Sequence, residues 1–232
     1  MVEKNSKISV PPLAVACVNL KGGVGKTTVS FLLASMGIHN GLQVIVYDLD
    51  EQRNITDTIN AVWHDGLPKN LHVKTQIESG DEQQGFDFFV LDCPPRGQNT
   101  IATAIEFADV VVIPVTPDSY GLANLPILYA MCSELGKDKA QCPILINKRD
   151  DSGISRAFIS FIIQHNYPLL GWLPENGLIR WNIHNGLPWN ARLRESHSAP
   201  FWTVYETLWN GWKCICDDKI DQAWHGAKEG LI

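Results

Sequence analysis

An apolar run that leads into a glycine-rich loop and then a helical pattern constrains this chain more than any other feature. The segment "LAVACVNL" at residues 13–20 is apolar enough for a strand that is buried on both faces of a sheet. "KGGVGKTT" follows it directly, and residues 26–39 have the pattern of a helix that ends near Asn40-Gly41. Glycines in such a loop let backbone N–H groups converge on phosphate oxygens at the positive end of a helix. The segment therefore predicts a phosphate-binding loop.

The alternation of apolar runs and helical patterns continues along the chain. Further buried strands are predicted at 42–50, 86–92, 109–115, 142–147 and 167–173, with helices at 54–63, 99–107, 120–136 and 152–165. Residues 65–85 are polar and contain glycine, which predicts an irregular excursion with a short strand at "LHVKT". This alternation is typical of an α/β fold with a mostly parallel sheet flanked by helices. We expect one domain over residues 1–232, with a flexible segment 1–12 and a Trp-rich helical layer over 175–232.

Composition and charge limit the classes of function. Hydrophobic residues make up 45% of the chain and charged residues 19%, as in a globular protein. The formal net charge is -6, so a contact with DNA would need a local basic patch, because the overall field is acidic. No apolar run has the roughly 18 residues of a membrane span, and residues 1–12 lack the apolar core of a signal peptide. These features predict a cytoplasmic protein.

Two groups of side chains leave alternatives open. The six cysteines lie in apolar segments, as expected of reduced and packed thiols, but the C-x-C pair Cys214 and Cys216 is also a weak candidate for metal binding. Seven of the eight tryptophans lie beyond residue 170. They either pack the C-terminal helical layer against the sheet or form part of a surface for a partner.

The phosphate loop assigns a role to each of its residues. Backbone N–H groups are contributed by Gly22, Gly23, Val24 and Gly25, and Lys26 is expected to reach the β- and γ-phosphates. Thr27 is expected to bind Mg²⁺ and Thr28 to contact the α-phosphate. The loop departs from the usual G-x-x-x-x-G-K-[ST] pattern, because Leu20 stands at the first glycine position. Lys21 adds a second lysine, although a phosphate loop needs only one.

Acidic residues stand at the ends of the second and third predicted strands. Asp48 and Asp50 end the second strand, and Asp92 ends the third. In a parallel sheet these ends lie beside the phosphate loop, where carboxylates hold Mg²⁺ directly or through water. Taken singly, each acid also fits a simple cap of the following turn. Because the acids recur at successive strand ends, a magnesium site is favoured, with Thr27, Asp48 and Asp92 as its ligands.

Four segments in order resemble the ParA/MinD family of deviant-Walker P-loop ATPases. They are "KGGVGKTT", "VIVYDLDEQRN", "FDFFVLDCPP" and "ADVVVIPVTPDSYGLANL", between about residues 13 and 150, and a weaker similarity continues through "GWLPENGLIRWNIHNGLPW". The resemblance implies a P-loop NTPase fold that binds ATP and Mg²⁺ and hydrolyses ATP. It matches Asp92 to the Walker B acid and Asp48 to an acid close to the magnesium shell.

The same resemblance gives the second lysine a function. Lys21 matches the signature lysine, which crosses the interface of an ATP-bound homodimer and contacts the phosphates of the partner's ATP. Asp50 matches the acid that positions the attacking water, so Lys21, Lys26 and Asp50 are the implied catalytic residues. Asn147 matches the position that reads adenine, and the backbone near Pro174 and Glu175 is implied to flank the base. One loop departs from the family, because Glu51-Gln52-Arg53-Asn54 stands where many members have Pro-Gln-Gly-Asn.

Only about a dozen residues precede the first strand, which leaves no room for the helix-turn-helix of large ParA proteins. The resemblance is therefore to small ParA proteins, which act in plasmid or chromosome partition. These bind DNA without sequence preference as ATP dimers, associate with the nucleoid, and are released when a ParB-like or other cargo-binding partner stimulates hydrolysis. The candidate DNA contacts are Arg180, Arg192 and Arg194, although six bases and six acids over 176–232 also fit a solvated face of mixed charge.

Two other functions remain possible on the same scaffold. A MinD-like regulator that cycles on a membrane is disfavoured, because the stripe of Val204, Leu208, Trp212 and Ile215 is followed by acids and predicts a core-facing helix. A metabolic or electron-transfer enzyme of the nitrogenase iron protein type would need paired cluster cysteines. Cys93 and Cys132 do not have the spacing that suggests such a cluster.

Overall fold

A computed structural model of the chain describes residues 12–78, 80, 85–118, 122–150, 152–175 and 195–224. Its strands are β1 (Leu13–Cys17), β2 (Val44–Asp48), β3 (Leu71–Lys74), β4 (Phe88–Asp92), β5 (Val110–Val115), β6 (Ile144–Arg149) and β7 (Leu169–Pro174). Its helices are α1 (Lys26–His39), α2 (Asn54–Val62), α3 (Gln98–Phe107), α4 (Leu125–Glu134), α5 (Gly153–Gln164) and α6 (Glu195–Cys216).

The strands form one parallel sheet in the order β3-β2-β4-β1-β5-β6-β7. The predicted α/β fold with a mostly parallel sheet is confirmed. Strand β1 lies at the centre, between β4 and β5, so the chain order reverses beside it. Ligands of open α/β sheets bind at this kind of switch point, outside the carboxyl ends of the strands. The phosphate loop leaves β1 at that point.

Successive side chains of each strand point to opposite faces of the sheet. On each face they pack against a layer of helices. Leu13 and Val15 face the cluster with α1, α2 and α6, and Ala14 and Ala16 face the cluster with α3, α4 and α5. Helix α1 lies close to β4, since a Cβ added at Gly37 would stand 2.9 Å from Cδ1 of Phe88. Both faces of the central strands are therefore covered, which explains their continuous apolar sequences.

Helix α6 lies on the same face as α1. Val204, Leu208 and Trp212 are buried and Ile215 packs against them, which confirms the predicted core-facing stripe. Trp209 and Trp224 are also buried in this cluster, whereas Trp181 and Trp189 lie outside the described residues. Within the described ranges, no helix combines the length and the apolar character needed to cross a membrane.

Two strands end earlier than predicted, because the residues that follow them stay buried or half-buried without continuing the strand. The run at 13–20 was predicted as strand throughout, but β1 ends at Cys17. Val18 and Asn19 remain buried, and the Asn19 amide donates to the Pro114 carbonyl (2.8 Å) while its oxygen accepts from the Lys21 N–H (2.9 Å). Asp50 likewise lies two residues beyond the end of β2.

Candidate functional site

The phosphate loop connects β1 to α1, and its glycines are required by its shape. Gly23 and Gly25 have φ angles of 76° and 94°, in the left-handed region that favours glycine. A Cβ at Gly25 would stand 2.1 Å from Nδ2 of Asn147, so a side chain there would also collide with the end of β6. Helix α1 begins at Lys26, directly after Gly25, and its N-terminal N–H groups face the loop. The predicted strand, loop and helix are all present.

Lys26 is buried within the loop. Its side chain is 7% exposed, and Nζ donates to the carbonyl oxygen of Lys21 at 3.2 Å. Burial lowers the pKa of this ammonium, while the nearby carboxylates of Asp92 and Asp50 act in the opposite direction. A buried cation that is hydrogen-bonded to a loop carbonyl is suited to exchange that contact for phosphate oxygens.

Asp92 ends β4 beneath the first turn of α1. Its carboxylate is fully buried and accepts hydrogen bonds from Thr27 Oγ1 (2.8 Å) and Ser30 Oγ (3.0 Å). Burial raises the pKa of Asp92 to about 7, and Asp48 raises it further, although the two hydroxyls and Lys26 oppose the shift. The contact with Thr27 brings together two of the predicted magnesium ligands. Ser30 was missed at the sequence level, although it stands one helical turn after Thr27 on the same face.

Asp48 lies opposite Asp92 in the register of β2 and β4. Its Oδ2 accepts from the N–H of Thr56 (3.1 Å) and from Thr56 Oγ1 (2.5 Å). Its Oδ1 is buried and has no hydrogen-bond partner among the described residues. An unpaired buried carboxylate oxygen is costly, and it is a suitable ligand or water acceptor for a hard cation.

The oxygens of Asp48, Asp92 and Thr27 therefore fit a magnesium site whose remaining ligands are water and phosphate. The part of the chain that the structure describes has no group of three or more His, Cys, Asp or Glu side chains arranged to hold a metal by themselves. Mg²⁺ commonly binds through one or two carboxylates together with substrate phosphates. The donor set agrees with that mode of binding.

Asp50 lies in a loop between β2 and α2 whose conformation is tightly bonded. Its Oδ1 accepts from the N–H of Gln52 (3.0 Å), and its carbonyl accepts from the N–H of Arg53 (3.0 Å). Arg53 has a φ of 55°, and its guanidinium donates to the carbonyl oxygen of Asp48. The left-handed conformation explains why glycine is common at this position in the family that the sequence resembles.

The side chain of Lys21 is partly exposed and pairs with an acid that follows β5. Its Nζ forms an ion pair with Oδ2 of Asp118 at 2.8 Å, and the two side chains are 31% and 39% exposed. Thr116 Oγ1 donates to the same oxygen at 2.6 Å. Asp118 follows β5, and nothing in the sequence pattern singled it out as a partner of Lys21. The two lysines of the loop therefore have different surroundings, one buried and one at the rim.

Asn147 connects the end of β6 to the phosphate loop. Its side chain is 6% exposed, and Nδ2 donates to the carbonyl of Val24 at 2.8 Å. Lys148 has a φ of 57°, and its Nζ donates to the carbonyl of Gly23 at 3.1 Å. Pro174 ends β7 beside β6, and the N–H of Glu175 donates to the carbonyl of Arg149.

A cleft of about 410 Å³ lies beside the phosphate loop and is lined in part by Lys21, Gly23, Thr116, Asp118, Lys148 and Asp150. The cleft adjoins the phosphate loop at the carboxyl edge of β5 and β6. Val24 is buried and Thr28 is half-buried in the first turn of α1, as expected for the ends of a phosphate site. The adenine-reading role of Asn147 and the base-flanking role of Pro174 and Glu175 stay predictions.

The remaining candidate residues fall into two groups. Arg180, Arg192 and Arg194 lie outside the described residues. Cys93 and Cys132 are both buried in the apolar layer between the sheet and its helices, so neither thiol is displayed at the surface. Cys214 is half-buried and Cys216 is exposed near the end of α6.

Comparisons with known proteins give relatives in sequence and in fold. A family model described as an AAA domain matches residues 13–79, which include the phosphate loop, Asp48 and Asp50. The chromosome-partitioning ATPase Soj of Thermus thermophilus is 29% identical over 153 residues, which are 52% of this chain, and the chain spans only 61% of the length of that relative.

Solved structures share the fold. A candidate plasmid partition protein of Borrelia burgdorferi bound to AMPPNP superimposes with a TM-score of 0.71 at 17% identity, over 84% of this chain and 97% of that one. The ATP complex of the Asp-to-Ala variant of McdA from Cyanothece gives a TM-score of 0.67 at 17% identity, over 84% and 95% of the two chains.

Proposed function

We propose that the chain is a ParA-type member of the ParA/MinD family of deviant-Walker P-loop ATPases and that it dimerises around ATP. In the ATP state it binds DNA without sequence preference and is associated with the nucleoid in the cytoplasm. A ParB-like or other cargo-binding partner stimulates hydrolysis and releases it. Partition of a plasmid or chromosome is the role that we favour, and positioning of another cargo uses the same chemistry.

The contrast between the two loop lysines is the observation that carries this proposal. Lys26 is buried among the groups that would hold the phosphates and the metal of its own subunit. Lys21 stands at the rim, a third exposed and paired with Asp118. A rim lysine can reach a second subunit without disturbing the first subunit's nucleotide. Such a contact makes the dimer depend on the phosphates that both subunits bind.

Within one subunit, the residues divide the work of phosphoryl transfer to water. Backbone N–H groups of the loop and Lys26 hold the β- and γ-phosphates. Thr27, Asp48 and Asp92 would hold Mg²⁺, which when bound offsets charge on the phosphate oxygens. The N–H of Gln52 fixes Oδ1 of Asp50, and Oδ2 makes no hydrogen bond within the described part of the chain.

Oδ2 of Asp50 is therefore available to orient a water against the γ-phosphorus. The water oxygen forms a new bond to phosphorus, the bond from phosphorus to the β,γ-bridging oxygen breaks, and one water proton passes to an oxygen of the released phosphate, so that ADP and phosphate leave. Lys21 of the second subunit would offset the charge that spreads over the transferred phosphoryl group. Loss of Asp50 should therefore remove turnover and not nucleotide binding.

Retention on DNA as a function of nucleotide tests the proposal. We expect the wild type to bind DNA of arbitrary sequence with ATP and not with ADP, and to weaken steeply with salt because neutralised phosphates release counterions. Combined replacement of Arg180, Arg192 and Arg194 by Ala should lower DNA affinity without changing ATP affinity. A matched control replaces Lys69, Lys213 and Lys219, three exposed lysines elsewhere, and removes the same charge.

Three outcomes would contradict the proposal in different ways. Equal binding with ATP and ADP would contradict the nucleotide switch. No binding even at low salt would exclude DNA as the track. Equal losses in the arginine variant and in the lysine control would show that only net charge matters and that the proposed patch does not exist. A wild type that releases no phosphate from ATP, with or without DNA, would contradict the enzymatic assignment itself.

A further inference from the structure

Arg53 has a backbone conformation that its side chain does not favour. Its φ and ψ angles are 55° and 29°, in the left-handed region. Arginine rarely adopts this conformation, whereas Gly and Asn adopt it readily. The same residue is the one at which the chain departs from the Gly of the usual Pro-Gln-Gly-Asn loop. A residue other than glycine persists in such a strained conformation where surrounding contacts hold it, and such residues cluster at functional sites.

Arg53 bonds to both acids of the loop. Its guanidinium Nη1 donates to the carbonyl oxygen of Asp48, and its backbone N–H donates to the carbonyl oxygen of Asp50 at 3.0 Å. A glycine at this position keeps the second contact and loses the first. The guanidinium contact spans five residues and closes the loop that carries Asp50 back onto the last residue of β2.

The charge of the guanidinium suits its surroundings. Arg53 is half-buried, and its guanidinium carries a positive charge. Three acids precede it within five positions of the chain, namely Asp48, Asp50 and the exposed Glu51. A positive charge at this place offsets part of the negative charge that these side chains bring to the loop.

We propose that Arg53 is a positioning residue that holds the loop of Asp50 in its working conformation before any partner protein binds. The inference rests on the proposed ATPase function. With the loop closed by the guanidinium, Asp50 needs less ordering to orient its water, and the ATP-bound dimer hydrolyses ATP at a measurable rate without a stimulating partner. In chains with glycine at this position, the loop lacks the guanidinium contact.

Replacing Arg53 by Asn and by Gly distinguishes the effect of the guanidinium contact from the effect of backbone flexibility. Both residues tolerate the left-handed conformation, and both remove the guanidinium, but only Gly loosens the backbone. We expect Arg53→Asn and Arg53→Gly each to lower kcat without partner by roughly tenfold or more, since small misplacements of a catalytic group have effects of this size. The KM for ATP and the affinity for Mg²⁺-ATP should be unchanged.

Glu51→Gln is the matched control, because it alters one charge on an exposed side chain of the same loop without touching the contact. It should have the wild-type kcat. The melting temperatures of both Arg53 variants should equal or exceed that of the wild type, because relief of the left-handed strain offsets the lost hydrogen bond. A wild-type kcat in Arg53→Asn would overturn the proposal, and so would a loss confined to Arg53→Gly.

Amide hydrogen exchange tests the same contact independently of turnover. The N–H of Gln52, which donates to Asp50, should exchange about tenfold or more faster in Arg53→Asn than in the wild type, while amides of α1 are unchanged. Unchanged protection would show that the guanidinium does not hold the loop. If the wild type hydrolysed no ATP, the proposed function would fail, and the exchange experiment would still decide whether the contact orders the loop.

Discussion

Replacing Lys21 by Ala should abolish ATP-dependent dimerisation and leave nucleotide binding by the monomer almost unchanged. In the subunit described here, the Lys21 ammonium pairs with Asp118, and only the backbone carbonyl of Lys21, which an alanine keeps, bonds to the Lys26 ammonium. Its removal therefore leaves the phosphate site of its own subunit intact. Lys26→Ala differs, because it removes the buried cation of that site.

The size of the effect follows from two opposing contacts. Leaving Asp118 costs little, because an ion pair with both side chains about a third exposed stabilises by only about 0.2–1 kcal/mol. A charge-assisted contact with a buried phosphate contributes about 1.5–3 kcal/mol, and a symmetric dimer has two such contacts. The net loss is about 3 kcal/mol, which corresponds to a dimer weakened by roughly a hundredfold.

The Asp118→Asn variant is a control for which we expect the opposite change in dimer stability. It keeps Lys21 but weakens the pair that holds it in its own subunit. The dimer should become tighter by up to about fivefold for each subunit, the factor that corresponds to about 1 kcal/mol. If Asp118 instead helped the lysine to reach the partner, this variant would weaken the dimer.

Sedimentation of each variant with a slowly hydrolysed ATP analogue measures the dimer, and titration with a fluorescent ATP analogue measures nucleotide affinity. A Lys21→Ala protein that dimerises normally would refute the reasoning. Parallel losses of nucleotide affinity and of the dimer would instead place Lys21 on the phosphates of its own subunit.

Three further changes probe the site. Lys26→Ala should abolish binding of the fluorescent ATP analogue, and unchanged affinity would contradict the phosphate-loop assignment. Asp50→Ala should still form ATP dimers by light scattering but release no phosphate, so a fully active variant would remove Asp50 from the mechanism. The third change concerns Asp92 in the protein without nucleotide and magnesium. Burial raises the pKa of its carboxyl from the ordinary value of 3.8 to about 7, so between these pH values the native state holds a proton that the unfolded state has lost. The free energy of unfolding should therefore fall as the pH rises from 3.8 to about 7. At about 1.36 kcal/mol per pH unit, the free energy of unfolding falls by about 4 kcal/mol. Denaturant titrations at several pH values should show this fall for the wild type and not for Asp92→Asn. Equal pH profiles of the two proteins would show that the Asp92 carboxyl does not titrate in this range.

The parts of the site that lie at strand ends were predictable from the sequence. Asp48 and Asp92 end apolar runs, and in a parallel sheet such ends must meet at one edge, as the register of β2 and β4 confirms. The phosphate loop was equally predictable, because a glycine-rich loop with Gly-Lys-Thr between a buried strand and a helix is the context that phosphate binding requires. These predictions depend on short-range pattern and on the geometry that all parallel sheets share.

Contacts between loops were not predictable in the same way. The pair of Lys21 with Asp118 joins residues 97 positions apart, and no periodicity connects them. The contact of Arg53 with Asp48 depends on a φ angle that the sequence gives no reason to expect of arginine. The predicted strand at 13–20 was too long for a related reason, since apolar composition reports burial and not hydrogen bonding between strands.

The burial of the thiols makes one position convenient as a spectroscopic reporter. Cys17, Cys93, Cys132 and Cys142 are buried, whereas Cys216 is exposed at the end of α6. Cys216 is close enough to Asp109, at the amino end of β5, for that carboxylate to act on its pKa, so a fluorophore there would lie at the edge of the sheet opposite the phosphate loop. Burial and the neighbouring acids Asp109 and Asp217 raise the pKa of Cys216, so maleimide coupling should proceed best somewhat above neutral pH. Dimerisation could then be followed by fluorescence in the native sequence, without an engineered cysteine.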